Sequence, residues 1–154
     1  MKLTAKARYA VTALADIAAF GDDGPVALSD IAARQVISAT FLEQLFAKLR
    51  KAGLVESRRG ATGGYVLTAA PAEIRVSDIV RAVDEPIRTT ACQPGEHIGC
   101  AGTTARCLTH DLWDELGRHI DVFLSSVTLA DITDKKVLGR AMVGEPIEAL
   151  EVVK

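Results

Sequence analysis

The sequence has no long apolar stretch, and this absence excludes several classes of protein. No uninterrupted apolar run approaches the ~18 residues of a membrane span, so we expect no membrane contact. The first residues also lack the apolar core of a signal peptide, because Arg8 and Asp16 interrupt it, and the cytoplasm is the expected compartment. Internal repeats are missing as well. The 154 residues therefore predict about one globular domain.

A strong net charge is also lacking, but the charges are unevenly distributed. The formal net charge is −2. Residues 1–68 carry nine basic and six acidic side chains, whereas residues 69–154 carry nine and fourteen. The span 34–60 alone has six basic and two acidic side chains. A basic region with an acidic remainder is typical of nucleic-acid-binding proteins, although a solvated basic face would have the same composition.

Two helices joined by a short turn are predicted in residues 28–51. Ser29 is a candidate N-cap of the first helix, and Ser38 is a candidate N-cap of the second, over 39–51. Gly53 lies where a helix-ending glycine belongs. The second helix has one polar, partly basic face and one apolar stripe, made of Leu42, Leu45, Phe46 and Leu49. The pattern predicts a helix-turn-helix, although any pair of helices in a small helical domain would share it.

A β-hairpin is predicted directly after these helices. Strand-like runs at 54–59 and 65–68 flank a glycine-rich segment. A hairpin after a helix-turn-helix forms a winged helix, with the wing at about 54–68. Arg58 and Arg59 at its tip are placed to enter a minor groove, whose negative potential attracts arginine. The tip resembles a phosphate-binding loop, but no Gly-Lys-Ser/Thr follows, which disfavours a nucleotide site.

The second half of the chain differs in composition from the predicted DNA-binding domain, residues 1–83. Ser77 is a candidate cap of a short helix at the end of that domain. Residues 84–108 hold all three cysteines and few large apolar side chains. A long helix over 109–132 has a broad apolar stripe, which favours a dimerisation helix because helix-turn-helix proteins commonly read two-fold half-sites. Packing within one chain is the alternative, and residues 133–154 are expected to be a flexible tail.

The three cysteines lie within 16 residues, and their odd number argues against a simple disulfide framework. Cys92, Cys100 and Cys107, with His110 three residues after the last, form a set of ligands that suits zinc or an iron–sulfur cluster. Zinc sites prefer ligands two to four residues apart, and only the last two residues have this spacing. A 2Fe–2S cluster fits the wide gaps at least as well. A catalytic Cys–His pair lacks any accompanying oxyanion or pocket signature, so no enzyme is expected.

Several stretches also match a known family, and together they cover about residues 1–132. They are Leu3, Thr4, Lys6 and residues 8–13, 41–46, 49–51, 53–55, 59–60, 63–65, 82–85 and 107–110. The Cys-Leu-Thr-His sequence at 107–110 is the most specific. On these residues the chain resembles the bacterial iron–sulfur cluster regulators. These are winged-helix transcription repressors within a wider group that includes nitric-oxide sensors and cysteine-metabolism repressors.

The resemblance implies a homodimer with one 2Fe–2S cluster per subunit, held by Cys92, Cys100, Cys107 and His110. It implies a repressor of cluster-assembly genes that receives its cluster from an assembly scaffold and binds two-fold half-sites in double-stranded promoter DNA. The apoprotein would still control a second class of DNA sites.

The resemblance also implies DNA-reading roles for three residues. Glu43 would disfavour one class of sites until the cluster is bound, while Gln44 and Arg59 would contact DNA. Side-chain chemistry agrees in part, because glutamine pairs with adenine through two hydrogen bonds and glutamate accepts from cytosine N4. Further candidate DNA contacts at the ends of the second helix and in the wing are Ser38, Thr40, Lys48, Lys51, Arg58 and Gly60.

The sequence departs from the family pattern in a few places. The gaps between the cysteines are longer, and Thr40 stands where a serine is usual. His97 adds a competing nitrogen ligand, whereas His119 in the middle of a helix fits a surface residue better. Arg8 stands where nitric-oxide sensors of the wider group have an acidic ligand. The alternative function is a winged-helix regulator whose cysteine segment binds zinc or acts as a thiol redox or nitric oxide switch.

Overall fold

The computed structural model describes residues 5–84, 89 and 107–139. In these ranges the chain forms six helices and one two-stranded sheet, the mainly helical architecture that the sequence predicts. The elements are α1 (Ala5–Phe20), α2 (Leu28–Gln35), α3 (Ala39–Lys51), β1 (Val55–Arg58), β2 (Gly64–Leu67), α4 (Val76–Ala82), α5 (His110–Ser126) and α6 (Leu129–Thr133). Within the described ranges, no helix combines the length and the apolarity that crossing a membrane requires.

Helix α1 forms the centre of the core, because small side chains on its buried face let other helices approach closely. It contacts α2, α3, α4 and α6. Ala10, Ala13 and Leu14 are fully buried on this face. Full burial of one large side chain, such as Leu14 or Phe46 of α3, contributes roughly 1.5–3 kcal/mol. The winged-helix head, which comprises residues 5–84 and α6, is therefore assembled around α1.

The helix-turn-helix consists of α2, a short turn and α3. The apolar stripe predicted for α3 is confirmed, since Leu42, Leu45, Phe46 and Leu49 are all buried. Gly53 follows the end of α3 with φ +75°, a left-handed conformation that glycine adopts without strain. The stripe fixes which face of α3 is directed away from the core.

The wing is an antiparallel hairpin of β1 and β2, in register from Val55 opposite Leu67 to Arg58 opposite Gly64. Tyr65 anchors it in two ways. Its ring packs edge-on against Phe46 of α3 at 4.7 Å between centroids. Its backbone also exchanges two hydrogen bonds with Val26, at 2.8 and 3.0 Å. The wing is thus fixed both to α3 and to the segment before α2.

The C-terminal helices differ from the prediction in their bounds. α5 ends at Ser126, so the helix predicted over 109–132 is two helices. Val127 between them is extended, and its carbonyl accepts the first N–H of α4 at 2.9 Å. Thr128 and Asp131 then form a capping box that starts α6. Because α6 packs on α1, this short helix belongs to the core of the winged-helix head.

Two predicted helix caps are wrong. Ser29 and Ser77 are each the second residue of their helix, which is preceded by Ala27 or Arg75 instead. Val26 and Arg75 both form isolated β-bridges to other segments. Backbone pairing with distant segments therefore determines where α2 and α4 begin. Ser38 does occupy the N-cap position of α3, but its side chain makes no capping hydrogen bond.

Candidate functional site

The exposed face of α3 carries the polar side chains that the sequence analysis selected. Ser38, Thr40, Glu43 and Gln44 are all exposed, and the buried stripe lies on the other side of the helix. They occupy the first two turns of α3. The structure therefore brings both predicted hydroxyl residues and the two predicted base-reading residues to one end of one surface.

The N-terminal end of this surface carries hydrogen-bond donors. The hydroxyl of Ser38 makes no capping bond, so it is not committed to the backbone of α3. Thr40 is exposed one residue into the helix. Helix N-termini carry partial positive charge and unpaired N–H groups, which suit a phosphate oxygen. This end of α3 can accept an anion.

Lys48 and Lys51 lie in the last turns of α3 and differ in their surroundings. Lys51 is exposed. The Lys48 ammonium lies 2.9 Å from a carboxylate oxygen of Asp84, in the turn after α4. The hydrogen bond and charge of Lys48 lower the pKa of the Asp84 carboxyl below its ordinary value. One of the two predicted phosphate contacts is therefore already engaged within the chain, a pairing that the sequence did not indicate.

The wing presents the remaining candidate contacts. Arg59 and Gly60 are exposed at the tip, and Gly60 has φ +136°, which favours glycine. Arg58 is exposed at the end of β1, and its guanidinium is paired with the carboxylate of Glu56. At Gly63, an added Cβ would lie 2.8 Å from the Arg58 carbonyl oxygen, so the tight tip requires glycine there. Among the arginines at the tip, Arg59 projects without an ion pair in the described part of the chain.

A polar cluster that sequence reasoning missed joins α1 to α2. The Asp16 carboxylate is fully buried and accepts two hydrogen bonds from Arg34 and one from Gln35. The Arg34 guanidinium also lies 4.5 Å from the centre of the Phe20 ring. A single acidic residue among the Ala, Leu and Ile of α1 was the available signal. The cluster lies directly before the turn of the helix-turn-helix.

Two of the four predicted cluster ligands lie in the described residues. Cys107 is half-buried and His110, the first residue of α5, is 8% exposed. The His110 N–H donates to the Cys107 carbonyl at 3.1 Å, which holds the two residues in one turn. A thiolate and an imidazole three residues apart are donors suited to zinc or an iron–sulfur cluster. The pair fits half of a four-ligand site.

The other half of that site lies outside the described residues, which do not include Cys92, Cys100 or His97. Within the described ranges, no group of three or more His, Cys, Asp or Glu side chains comes together. His119 is exposed and lies beside Glu115 at 3.4 Å. It is nine residues, about 14 Å along α5, from His110, so it belongs to the helix surface and not to the ligand pair.

Thr89 lies beside the first turns of α5. Its hydroxyl donates to the Trp113 carbonyl at 2.5 Å. The same hydroxyl would be 2.5 Å from a Cβ added to Gly117, so glycine makes this approach possible. Thr89, which lies between α4 and Cys92 in the sequence, therefore contacts α5 within one turn of His110.

An apolar face of α5 remains exposed in the single chain. Leu112, Trp113 and Leu116 keep 62%, 44% and 37% of their surface accessible. Farther along, Phe123 and Leu124 pack against the core, and the Arg81 guanidinium donates to the Asp121 carboxylate at 2.8 Å. α5 is thus attached to the head by its C-terminal half, while its N-terminal half presents apolar side chains to solvent.

Comparison with known families and proteins gives a consistent result. Residues 3–135 match the family model Rrf2, described as an iron-dependent transcriptional regulator. The chain is 53% identical over 132 residues to the HTH-type transcriptional regulator IscR of Aliivibrio salmonicida, covering 86% of this chain and 77% of that protein. It is 50% identical over 136 residues to IscR of Yersinia pseudotuberculosis, covering 88% and 81%.

Solved structures give the same picture. IscR of T. potens has a TM-score of 0.71 and 36% identity, with 95% of this chain and 94% of that chain covered. CymR, the global cysteine regulator of B. subtilis, has a TM-score of 0.73 and 34% identity, with 88% and 98% covered. Both likenesses extend over nearly the whole chain, so they include the winged-helix head described above.

Proposed function

The chain belongs to the Rrf2 family and is a DNA-binding transcriptional regulator, not an enzyme, and on this premise we propose that it represses iron–sulfur cluster assembly genes under the control of a bound 2Fe–2S cluster. The observation that carries the proposal is the pairing, in one chain, of an exposed recognition face on α3 with a Cys107–His110 ligand pair at the start of α5. In a bacterium, such a regulator acts in the cytoplasm, where the DNA is.

DNA reading is assigned to Gln44, Glu43 and Arg59. An exposed glutamine can make two hydrogen bonds to adenine in the major groove. An exposed glutamate can accept only from cytosine N4 and repels phosphates elsewhere, so it excludes unsuitable sites. Arg59 at the wing tip, which has no ion pair among the described residues, suits the negative potential of a narrow minor groove. Ser38, Thr40, Lys48, Lys51, Arg58 and Gly60 would supply contacts to the DNA backbone.

The cluster is assigned to Cys92, Cys100, Cys107 and His110, one cluster per subunit. The half-buried thiol and the buried imidazole provide two of these donors. Thr89, three residues before Cys92, contacts α5 at Trp113, one turn after His110, which supports a common site. A 2Fe–2S group supplies a charge that changes with occupancy and redox state, and one histidine ligand among three thiolates favours a less firmly held cluster. An assembly scaffold would donate it.

The test of DNA reading uses the Gln44→Ala/Arg59→Ala double variant. A duplex is first selected from a random library by the wild-type protein, and affinities are measured in a gel-shift assay at fixed salt. We expect the double variant to lose at least about 10-fold in affinity, since one good bidentate base contact is worth roughly 1–3 kcal/mol. Arg118→Ala, which removes an exposed arginine of α5, is the control. Unchanged affinity in the double variant, or a wild-type protein that selects no duplex, would refute the assignment.

The test of the cofactor is the visible spectrum of anaerobically purified protein, with iron, sulfide and zinc counted on the same sample. We expect two iron and two sulfide per chain, as the composition of a 2Fe–2S cluster requires. His110→Ala should speed cluster loss, whereas His119→Ala, which changes an exposed histidine of the same helix, should leave the rate unchanged. A colourless protein with stoichiometric zinc would contradict the cluster. Equal decay in both variants would remove His110 from the ligand set.

A further inference from the structure

The buried carboxylate of Asp16 has a connection to the recognition helix that the proposed function does not use. Asp16 belongs to α1 and has no exposed side-chain surface. It accepts from Arg34 Nε at 3.0 Å, from Arg34 Nη2 at 2.6 Å and from Gln35 Nε2 at 2.7 Å. Both donors are the last two residues of α2. Three charge-assisted bonds therefore fix the C-terminal end of α2 on α1.

The next residue along the chain is held in an unfavourable conformation. Val36 has φ 54° and ψ 48°, in the left-handed region, where β-branched residues are rare. Its side chain is 90% exposed, so packing contributes little to keeping it there. The N–H groups of Val36 and Ile37 both donate to the Ala32 carbonyl, which closes α2 and turns the chain into α3. The turn is strained, and its geometry depends on the end of α2.

Apolar packing holds the middle and the start of α2. Ile31 is its one fully buried side chain, and Leu28 and Ala32 pack partly buried against the core. The last two residues, Arg34 and Gln35, are polar, so the hydrogen bonds to Asp16 are what directs the C-terminal end of the helix. A buried ion pair is often no more stabilising than apolar residues of equal volume, so stability by itself does not account for the cluster. The carboxylate therefore contributes a fixed orientation of the C-terminal end of α2.

We propose that Asp16 is a positioning residue for DNA recognition: its carboxylate holds Arg34 and Gln35, and through them keeps the strained Val36 turn in the conformation that orients α3. The inference rests on the proposed DNA binding and adds a residue that lies in α1, away from the exposed face of α3. The stack of Arg34 on Phe20 holds the guanidinium from its other side. Loss of the carboxylate would let the turn relax and α3 change its angle.

The experiment compares wild type, Asp16→Asn, Val36→Gly and the double variant. Asparagine keeps the shape but removes the charge and one acceptor. We expect Asp16→Asn to lose about 10-fold in affinity for the selected duplex, and the exchange of the amides of residues 36 and 37 with solvent to accelerate, since both donate to the Ala32 carbonyl, while circular dichroism remains native. Adding Val36→Gly should restore most of the affinity and most of the protection of these amides from exchange, because glycine adopts this turn without the hydrogen bonds to Asp16. Asp23→Asn, an exposed acid between α1 and α2, is the control.

Glycine in a left-handed turn also relieves strain in the folded state, so urea denaturation of all four proteins accompanies the affinity measurements. Positioning requires that Asp16→Asn loses affinity while it is still fully folded under the assay conditions, and that Val36→Gly restores this affinity. If Asp16→Asn does not fold, Gln35→Ala removes one of the three bonds and should lose about 3-fold in affinity, again with rescue. Affinity that is unchanged, or lost without rescue, overturns the inference. A wild-type chain that selects no DNA contradicts the proposed function instead. In that case, the exchange rates of the amides of residues 36 and 37 still test whether Asp16 holds the turn.

Discussion

Ser77 is a buried polar residue without a partner in the described part of the chain. It is 2% exposed in α4, and its hydroxyl has no hydrogen bond there. A buried unpaired hydroxyl destabilises the folded state by roughly 1–3 kcal/mol, and its replacement by an apolar group of similar shape is neutral or stabilising. The sequence suggests a helix cap at this position, but the structure places the hydroxyl in the core.

We therefore predict that Ser77→Ala increases the free energy of unfolding, by about 1 kcal/mol. The measurement is urea denaturation, in which a higher midpoint with an unchanged slope indicates a change in stability alone. Ser29→Ala, at an equivalent but exposed second position in α2, should stay within about 0.5 kcal/mol of wild type. A loss of stability in Ser77→Ala would show that the hydroxyl has a partner.

Single residues also mark the limit of what the sequence could predict. The type and approximate position of α2 and α3 followed from the spacing of apolar residues and from residues such as Ser38 and Gly53. The caps at Ser29 and Ser77 did not, because backbone pairing of Val26 and Arg75 with distant segments starts those helices. No local sequence pattern predicts such pairing. The left-handed Val36 turn was equally unpredictable, since its strain is sustained by contacts between helices.

At the scale of elements, the ion pair of Lys48 and Asp84 joins the recognition helix to the turn after α4. Because Lys48 lowers the pKa of Asp84, the carboxyl is charged throughout the neutral range. A depressed pKa means that the pair stabilises the folded state above the unfolded value of 3.8 and loses this contribution as the pH falls further, through the folded value. If Lys48 contacts DNA phosphates as proposed, Asp84 competes with them for the Lys48 ammonium at physiological pH.

We predict that Asp84→Asn strengthens DNA binding by up to about 5-fold, since exposed ion pairs are worth at most about 1 kcal/mol. The logarithm of affinity should also fall more steeply with the logarithm of salt, by roughly one unit of slope, as an added phosphate contact requires. Asp134→Asn is the matched control, because it also removes one exposed carboxylate that pairs with a lysine, Lys136 after α6. Equal changes in both variants would mean that only net charge matters.

Elements also differ in how far their sequence determines them. The exposed polar face of α3 was predictable, because the apolar stripe must be buried and the opposite side of the helix is then exposed. The partner of Lys48 was not, because Asp84 is distant in sequence and the pair depends on how α4 packs. The helix predicted over 109–132 was too long for a similar reason. Its apolar stripe continues to Val127, but that residue is buried between two helices, in extended conformation.

At the scale of the whole molecule, α5 connects the two functions proposed for the chain. Its first turn carries His110, directly after Cys107, and its next turns expose Leu112 and Leu116. Its C-terminal half packs against the head, where Arg81 pairs with Asp121. If two copies associate through the exposed face, Cys107 and His110 lie next to the dimer contact. Cluster occupancy can then act on the spacing of the two heads, and therefore on the fit to two half-sites.

The last prediction tests this arrangement with Leu112→Glu/Leu116→Glu. We expect wild type to sediment as a dimer and the double variant as a monomer, because charged side chains would have to be buried at the interface. Affinity for a two-fold duplex should fall at least about 100-fold, since joint binding of linked half-sites adds a factor of roughly 10²–10⁴. Affinity for a single half-site should be unchanged, which separates loss of pairing from damage to the head.

Val122→Glu is the control for this prediction, because it places one negative charge on another exposed apolar residue of α5. At about 100° per residue, Val122 lies roughly 120° around the helix from Leu116, outside the stripe. It should leave both the dimer and the duplex affinity intact. A wild-type monomer, or a double variant that remains dimeric, would mean that the exposed face of α5 has another use, and that the heads are not spaced by this helix.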